Sequence, residues 1–196
     1  FVERINILGN NVTKETVIRN NLEIDEGDPY NEILSNKSVN NLKSLNFFKN
    51  VSSEILDGSS PERKIINISV EEKPTGEITA GAGVGTSGTS LMFGVKENNY
   101  LGSGVGLTSN ITLTEESLKG LLAVNNPNFR NSDKSISFSV EASETDRLKE
   151  FGYKTNKTGL SVGTTFEYLN NFNLGICNSN FYEKIDTAST ASAKQQ

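Results

Sequence analysis

Residues 135–143 read SISFSVEAS. Ile136, Phe138, Val140 and Ala142 alternate there with Ser135, Ser137, Ser139, Glu141 and Ser143, the two-residue period of a strand with one apolar and one polar face. The same period recurs upstream in Ile78, Ala80, Ala82 and Val84, in Leu91, Phe93 and Val95, and in Val105, Leu107, Ile111 and Leu113. Downstream it recurs in Leu160, Val162 and Phe166 and in Phe172, Leu174 and Ile176, while residues 118–124 are apolar on both faces. The pattern predicts about seven strands at a spacing of roughly 10 to 15 residues, as in the hairpins of a transmembrane barrel. Their polar positions are mostly Ser, Thr, Gly and Asn, where a sheet face washed by bulk water is normally well charged. A hydrated barrel interior tolerates such a wall, so the barrel is favoured, with a soluble β-sandwich as the alternative. Seven strands do not close a single-chain barrel, which implies a portion of a longer protein. No run of 18 apolar residues is present to cross a membrane as a helix.

Composition changes near Pro74. Residues 1–74 hold 21 charged residues and three glycines, whereas residues 75–196 hold 22 charged residues and fourteen glycines. Two domains are therefore expected, 1–74 and 75–196. In the first, residues 2–8 are rich in strand formers and end in Gly9-Asn10, a turn signal. Thr13 is placed to cap a helix reaching about Asn21, with Val12 and Val17 in staple positions. Asn31 is placed to cap a second helix whose Leu34, Ser38, Leu42 and Leu45 share a face, with Ser38 allowing close packing. Two strands follow, residues 48–56 and 64–71, giving the order βααββ and an α+β domain with helices over one face of a small sheet.

The composition removes most catalytic chemistry. Histidine is absent and Cys177 is the one cysteine, which excludes an intrachain disulfide, a Cys/His zinc site and imidazole-dependent catalysis. No enzymatic activity, cofactor or metal is expected. A net charge of -5 without long blocks of like charge gives no nucleic-acid footprint. The formal G-x-G-x-x-G at residues 83–88 lacks the amphipathic helix that a phosphate loop requires and reads better as hairpin glycines. Glu71-Glu72 and Glu115-Glu116 point to opposite strand faces, so neither pair converges on a site; the first reads as a solvated strand end and the second as a hairpin loop. Cys177 falls on the polar face. Tyr100, Phe129, Tyr168 and Phe172 flank connections assigned to one end of the strands, at residues 97–104, 125–134 and 168–171, and form an aromatic girdle pattern. The longest connection is expected at residues 143–157, on the opposite end.

Residues 41–51, NLKSLNFFKNV, preceded by Glu26-Gly27-Asp28-Pro29-Tyr30, resemble a POTRA domain, whose element order is also βααββ. Residues 70–76, the glycine-rich 81–85, the turn NNYLGSG at 98–104 and VNNPNF at 124–129 resemble, in the same order, the bacterial surface antigen family of outer-membrane barrels. The resemblance implies the last POTRA domain and about the first seven of roughly sixteen antiparallel transmembrane strands. It further implies a Gram-negative outer-membrane location with the POTRA domain in the periplasm, and assembly of other barrel proteins into that membrane without a covalent step. Expected partners are unfolded outer-membrane proteins, a BamD-like lipoprotein with other assembly-complex subunits, and outer-membrane lipid. The family's lateral gate maps onto Glu77, Ile78, Thr79, Ala80, Gly81, Ala82, Gly83, Val84 and Gly85. Addition of a substrate strand maps onto Lys49, Val51, Ser53 and Ile55, and the lipoprotein contact onto Glu26. Sister POTRA-barrel families, TamA-like factors and two-partner secretion transporters, share this architecture, so a translocation or secretion pore is the second reading.

Overall fold

A computed structural model describes residues 1–85, 88–132, 134–169 and 172–188. The chain divides into two compact units. The first comprises Phe1–Thr75 together with Asn98–Val105, and the second comprises Gly76–Glu97 and the residues from Gly106 onward.

In the first unit, β1 (Val2–Leu8), α1 (Glu15–Arg19), α2 (Glu32–Ser44), β2 (Phe48–Asp57) and β3 (Lys64–Glu72) follow one another. The sheet order is β1-β3-β2, with β3 parallel to β1 and antiparallel to β2. Alternation along β3 buries Ile66, Ile68 and Val70 on one face, where the register sets Ile5, Ile7 and Val51 beside them. Ile18 from α1 and Val39 and Leu42 from α2 close that face, with Leu34 and Leu45 packed partly buried against it. Asn31 caps α2 as expected, its side chain accepting from the N–H groups of Ile33 and Leu34. Ser38 does more than make room. Its buried hydroxyl donates to the Leu34 carbonyl at 2.9 Å and accepts the Glu23 N–H at 2.8 Å, fastening the preceding loop to the helix.

The helix expected from Thr13 to Asn21 is shorter, beginning only at Glu15, and Thr13 is not its cap. The reason is competition: Thr13 donates its N–H to Glu72 at 2.6 Å and accepts from Asn99 Nδ2 through its hydroxyl at 2.9 Å. With that oxygen committed, α1 starts from Lys14 without a side-chain cap.

The second unit holds β4 (Gly76–Gly85), β5 (Gly88–Tyr100), β6 (Val105–Thr114), β7 (Ser117–Asn126), β8 (Lys134–Arg147), β9 (Tyr153–Leu169) and β10 (Phe172–Thr187). Among the described residues they form one seven-stranded meander in sequence order, with β4 and β10 as its edges. Register sorts the side chains onto two faces. Val124, Phe138 and Val162 stand side by side, as do Leu122, Val140 and Leu160, whereas Ser139 lies between Ala123 and Ser161 on the other face. Cys177 pairs with Gly163 on that polar face, 3.8 Å from the hydroxyl of Ser179. On the apolar face, Thr164 turns its hydroxyl to the Ser135 carbonyl at 2.9 Å, removing the unsatisfied donor that lipid would penalise.

The apolar band slips along the ladder. Ile136 pairs with Thr164, yet the band of β9 continues to Phe166; Leu160 pairs with Asn180, yet the band of β10 ends at Ile176. Tilted strands produce this slip, because a membrane plane crosses a tilted ladder diagonally. It accounts for Asn178 and Asn180 lying opposite Val162 and Leu160. β8, β9 and β10 have 14, 17 and 16 residues, longer than the bilayer requires. The connection expected at 143–157 is accordingly mostly strand: Glu144, Thr145, Asp146 and Arg147 pair with Asn156, Thr155, Lys154 and Tyr153. Only α3 (Leu148–Phe151) and Gly152, the latter at φ +75°, make the turn. Ion pairs between Lys154 and Glu144 at 2.7 Å and between Arg147 and Glu116 at 2.8 Å stabilise the extension.

The glycine turn at 83–88 pairs Gly85 with Gly88, and its Thr86 and Ser87 lie outside the described residues, as do Asn170 and Asn171 of the connection at 168–171. Tyr100, Phe129, Tyr168 and Phe172 are exposed at the end of the sheet where β4 begins.

Candidate functional site

Two strand edges and one docked turn stand out. The first edge is β4. Each of its residues is exposed, Ile78 at 86% and Val84 at 88%, while its other side pairs without interruption with β5 from Gly76↔Glu97 to Gly85↔Gly88. Gly81 and Gly85 are not forced by crowding. A Cβ at Gly81 would meet only Met92 Cε, at 3.9 Å, and one at Gly85 would meet nothing within 4 Å. Their effect is subtraction: side chains that would pack across the ladder are missing, which lowers the cost of separating this strand.

The second edge is β2. Its partner edge, β1, is already occupied. Val2 N–H donates to the Asp28 carbonyl and Gly27 N–H to the Val2 carbonyl, both at 2.8 Å, while Ile5 N–H donates to Glu26 Oε1 at 2.9 Å and Arg19 Nη2 to the Ile5 carbonyl at 3.0 Å. Glu26 thus serves as a side-chain substitute for a neighbouring strand, and its side chain remains 46% exposed beside Arg19. Hydrogen bonds to Glu15 hold the Arg19 guanidinium above its ordinary pKa, against the opposing effect of burial. On β2, Val51 is buried, Ser53 half-buried and Ile55 exposed on the helix-side face; Lys49 sits at a bulge between Phe48 and Asn50 and pairs with Glu71 at 2.8 Å. An edge of this kind, with alternate side-chain positions, is what strand addition uses.

The docked turn was not legible as such in the sequence. Glu72 is no solvated strand end: its carboxylate accepts the N–H groups of Asn11 and Val12, each at 2.9 Å, and of Thr13. Burial pushes its pKa up, but the hydrogen bonds from Thr13, Val12 and Asn11 together outweigh that and hold it below the usual carboxylate value. The loop so fixed receives residues 98–105. Asn99, 5% exposed, donates to Thr13 Oγ1 and accepts the Gly104 N–H at 2.7 Å; Lys14 N–H donates to the Gly102 carbonyl at 2.8 Å. Gly102 has φ +67°, and a Cβ there would lie 1.9 Å from the Val12 carbonyl oxygen, so glycine alone fits. Asn98 donates twice to the Thr75 carbonyl, from its N–H at 3.3 Å and from Nδ2 at 3.1 Å. Only the turn composition of NNYLGSG hinted at this, and nothing local reveals a partner 86 residues away. Among the described residues no three carboxylate or thiol groups converge on a point that could hold a metal ion.

Residues 1–73 match the POTRA family, described as the surface antigen variable number repeat. Over 168 residues the chain is 27% identical to the outer membrane protein assembly factor BamA of Neisseria meningitidis, covering 83% of this chain and 21% of that one. Its fold superposes on the crystal structure of Haemophilus ducreyi BamA lacking POTRA domains 1–3, with a TM-score of 0.81 at 23% identity over 95% of this chain and 36% of the other. The chain is BamA-like. Further likeness runs to BamA of Neorickettsia risticii, 34% identical over 105 residues, 52% of this chain and 14% of that one. CdiB from Escherichia coli shares the fold more loosely, with a TM-score of 0.64 at 12% identity over 94% of this chain and 38% of the other. This BamA-like chain, a POTRA domain followed by antiparallel strands of a partial barrel, is an outer-membrane protein with its POTRA domain in the periplasm. It spans about a fifth of the length of the Neisseria protein.

Proposed function

We propose that the chain is the substrate-handling part of an insertase that folds β-barrel proteins into the outer membrane through a lateral gate, without covalent chemistry. The glycines of β4, whose missing side chains weaken its packing on β5, and the likeness to BamA support this reading. Glu77, Ile78, Thr79, Ala80, Gly81, Ala82, Gly83, Val84 and Gly85 offer backbone N–H and C=O groups on one side and weak cross-strand packing on the other. Unfolded outer-membrane proteins are the substrates. Lys49, Val51, Ser53 and Ile55 hold a substrate strand on the β2 edge, and β1 is unavailable for that role because Glu26, Gly27 and Asp28 already occupy it. Glu26, half exposed beside Arg19, presents the carboxylate that a BamD-like lipoprotein of the assembly complex contacts.

The test is a lock on the gate. In the intact protein, cysteines at residues 78–84 are paired across to the final barrel strand and oxidised, with Cys177 replaced by Ser. Insertion of a substrate barrel stops in the oxidised form and resumes on reduction. Continued insertion with the lock fully formed would overturn the gate and favour the second reading, transport through the lumen of a POTRA-barrel secretion pore, which needs no separation of strands.

A further inference from the structure

We infer that Asn99 is a positioning residue that clamps the foot of the β4–β5 hairpin onto the POTRA domain, so that the gate strand opens along its length while its base stays fixed. The inference rests on the insertase reading above. Residues 98–105 connect β5 to β6, yet they belong to the same compact unit as Phe1–Thr75. Three independent contacts hold them there. Asn99 is buried with both ends of its amide engaged, Nδ2 on Thr13 Oγ1 and Oδ1 on the Gly104 N–H. Thr13 itself is 2% exposed, so each of these polar groups depends on the other for satisfaction. Gly102 lies against the Val12 carbonyl too closely for any side chain and receives the Lys14 N–H. Asn98 grips the carbonyl of Thr75, the residue immediately before β4.

The receiving loop is rigid for its own reason. Glu72 ends β3 and holds the N–H groups of residues 11–13, so the loop that meets Asn99 is tied to the central strand of the POTRA sheet. A continuous chain of hydrogen bonds therefore runs from β3 through Glu72, Thr13 and Asn99 to the turn, and Asn98 closes it on Thr75. Substrate pulling on β4 works against this clamp at one end only. Glycines 81, 83 and 85 lie toward the other end of β4, where a weakened strand yields first.

The test uses the intact protein in its assembly complex, reconstituted in phospholipid vesicles, with a small barrel substrate diluted from urea. Asn99→Ala and Gly102→Ala are made separately, each checked for a folded barrel by heat-dependent mobility in detergent gels. Each raises protease cleavage at residues 73–75 and 98–104 by about tenfold or more, Asn99→Ala through its two lost side-chain hydrogen bonds and Gly102→Ala through the clash of its Cβ with the Val12 carbonyl. Each also slows assembly. A Thr13→Cys, Asn99→Cys pair in a Cys177→Ser background is slow when free and returns to the parent rate when bridged by a short bis-thiosulfonate. Normal assembly by Asn99→Ala with unchanged protease protection overturns the clamp, and so does a bridged pair that stays slow. Failure of the unmodified protein to assemble substrate overturns the insertase reading instead, while the protease readout still reports on the clamp.

Discussion

Phe138 and Ser137 are neighbours on β8 that face opposite media, and arginine at each gives opposite outcomes. On the apolar face of β8 the series runs Lys134, Ile136, Phe138, Val140, Ala142, Glu144, so the uncharged stretch is bounded by a charge at each end. Ten residues at about 3.4 Å each make roughly 34 Å along the strand. At a tilt of about 40° this is roughly 26 Å of height, close to the ~25 Å apolar band of an outer-membrane barrel. Phe138 is four residues above Lys134, hence about 10 Å up and within a few ångströms of the midplane. Arginine there costs about 2–4 kcal/mol, with the loss of ring packing against Val124 and Val162 added to it. Ser137 pairs with Gly163, which has no side chain to collide with, on the polar face; arginine there costs at most about 1 kcal/mol. Urea titration of the intact protein folding into phospholipid vesicles measures both. Equal destabilisation at the two positions, or a larger effect at Ser137, would refute the assignment of the faces.

The strand order also fixes the ends of the sheet, because the POTRA domain leads directly into β4. A cysteine at Lys149, in the turn between β8 and β9, is labelled on whole cells by an impermeant thiol reagent, and one at Asn131, between β7 and β8, is not; the reverse pattern would invert the topology. Glu72 supplies a pH signature. Its folded pKa lies below the unfolded value of about 4.3, so its stabilisation is present above that value and is lost as pH falls through the folded pKa. Hydrogen exchange at Asn11, Val12 and Thr13, corrected for intrinsic rates, therefore accelerates as pH falls below the unfolded carboxylate value and through the lower folded one. Glu72→Gln removes the pH dependence, and a pH dependence that persists in that variant would show another group to be responsible.

The seven strands were legible because a sheet between lipid and water writes its two faces into alternate residues, and Ile136, Phe138 and Val140 are as plain as such a pattern becomes. Strand ends were less so. Glu144, Asp146, Lys154 and Asn156 extend β8 and β9 beyond the apolar band as a polar ladder whose pairing depends on cross-strand charge, not on hydrophobic period. A pattern reader stops where the grease stops. The POTRA helices divide in the same way: Asn31 caps α2 through neighbours two and three residues away, which sequence can show, whereas Thr13 is drawn off by Glu72 and Asn99, 59 and 86 residues distant.

That last contrast bears on how the proposed gate can be both weak and accurate. Weakness is local and cheap to encode, since glycines at 81 and 85 leave out side chains that would otherwise pack across the ladder. Accuracy is nonlocal. A strand that separates from its neighbour loses its register unless one end is held, because a slip of one residue turns every side chain to the opposite face. In the proposed clamp, Asn99 on Thr13, both buried, and the half-buried Asn98 on Thr75 hold the base of the hairpin, and the burial of the first pair makes its release costly. In the proposed gate, then, the glycines set how readily β4 separates and the anchored base sets the register to which it returns.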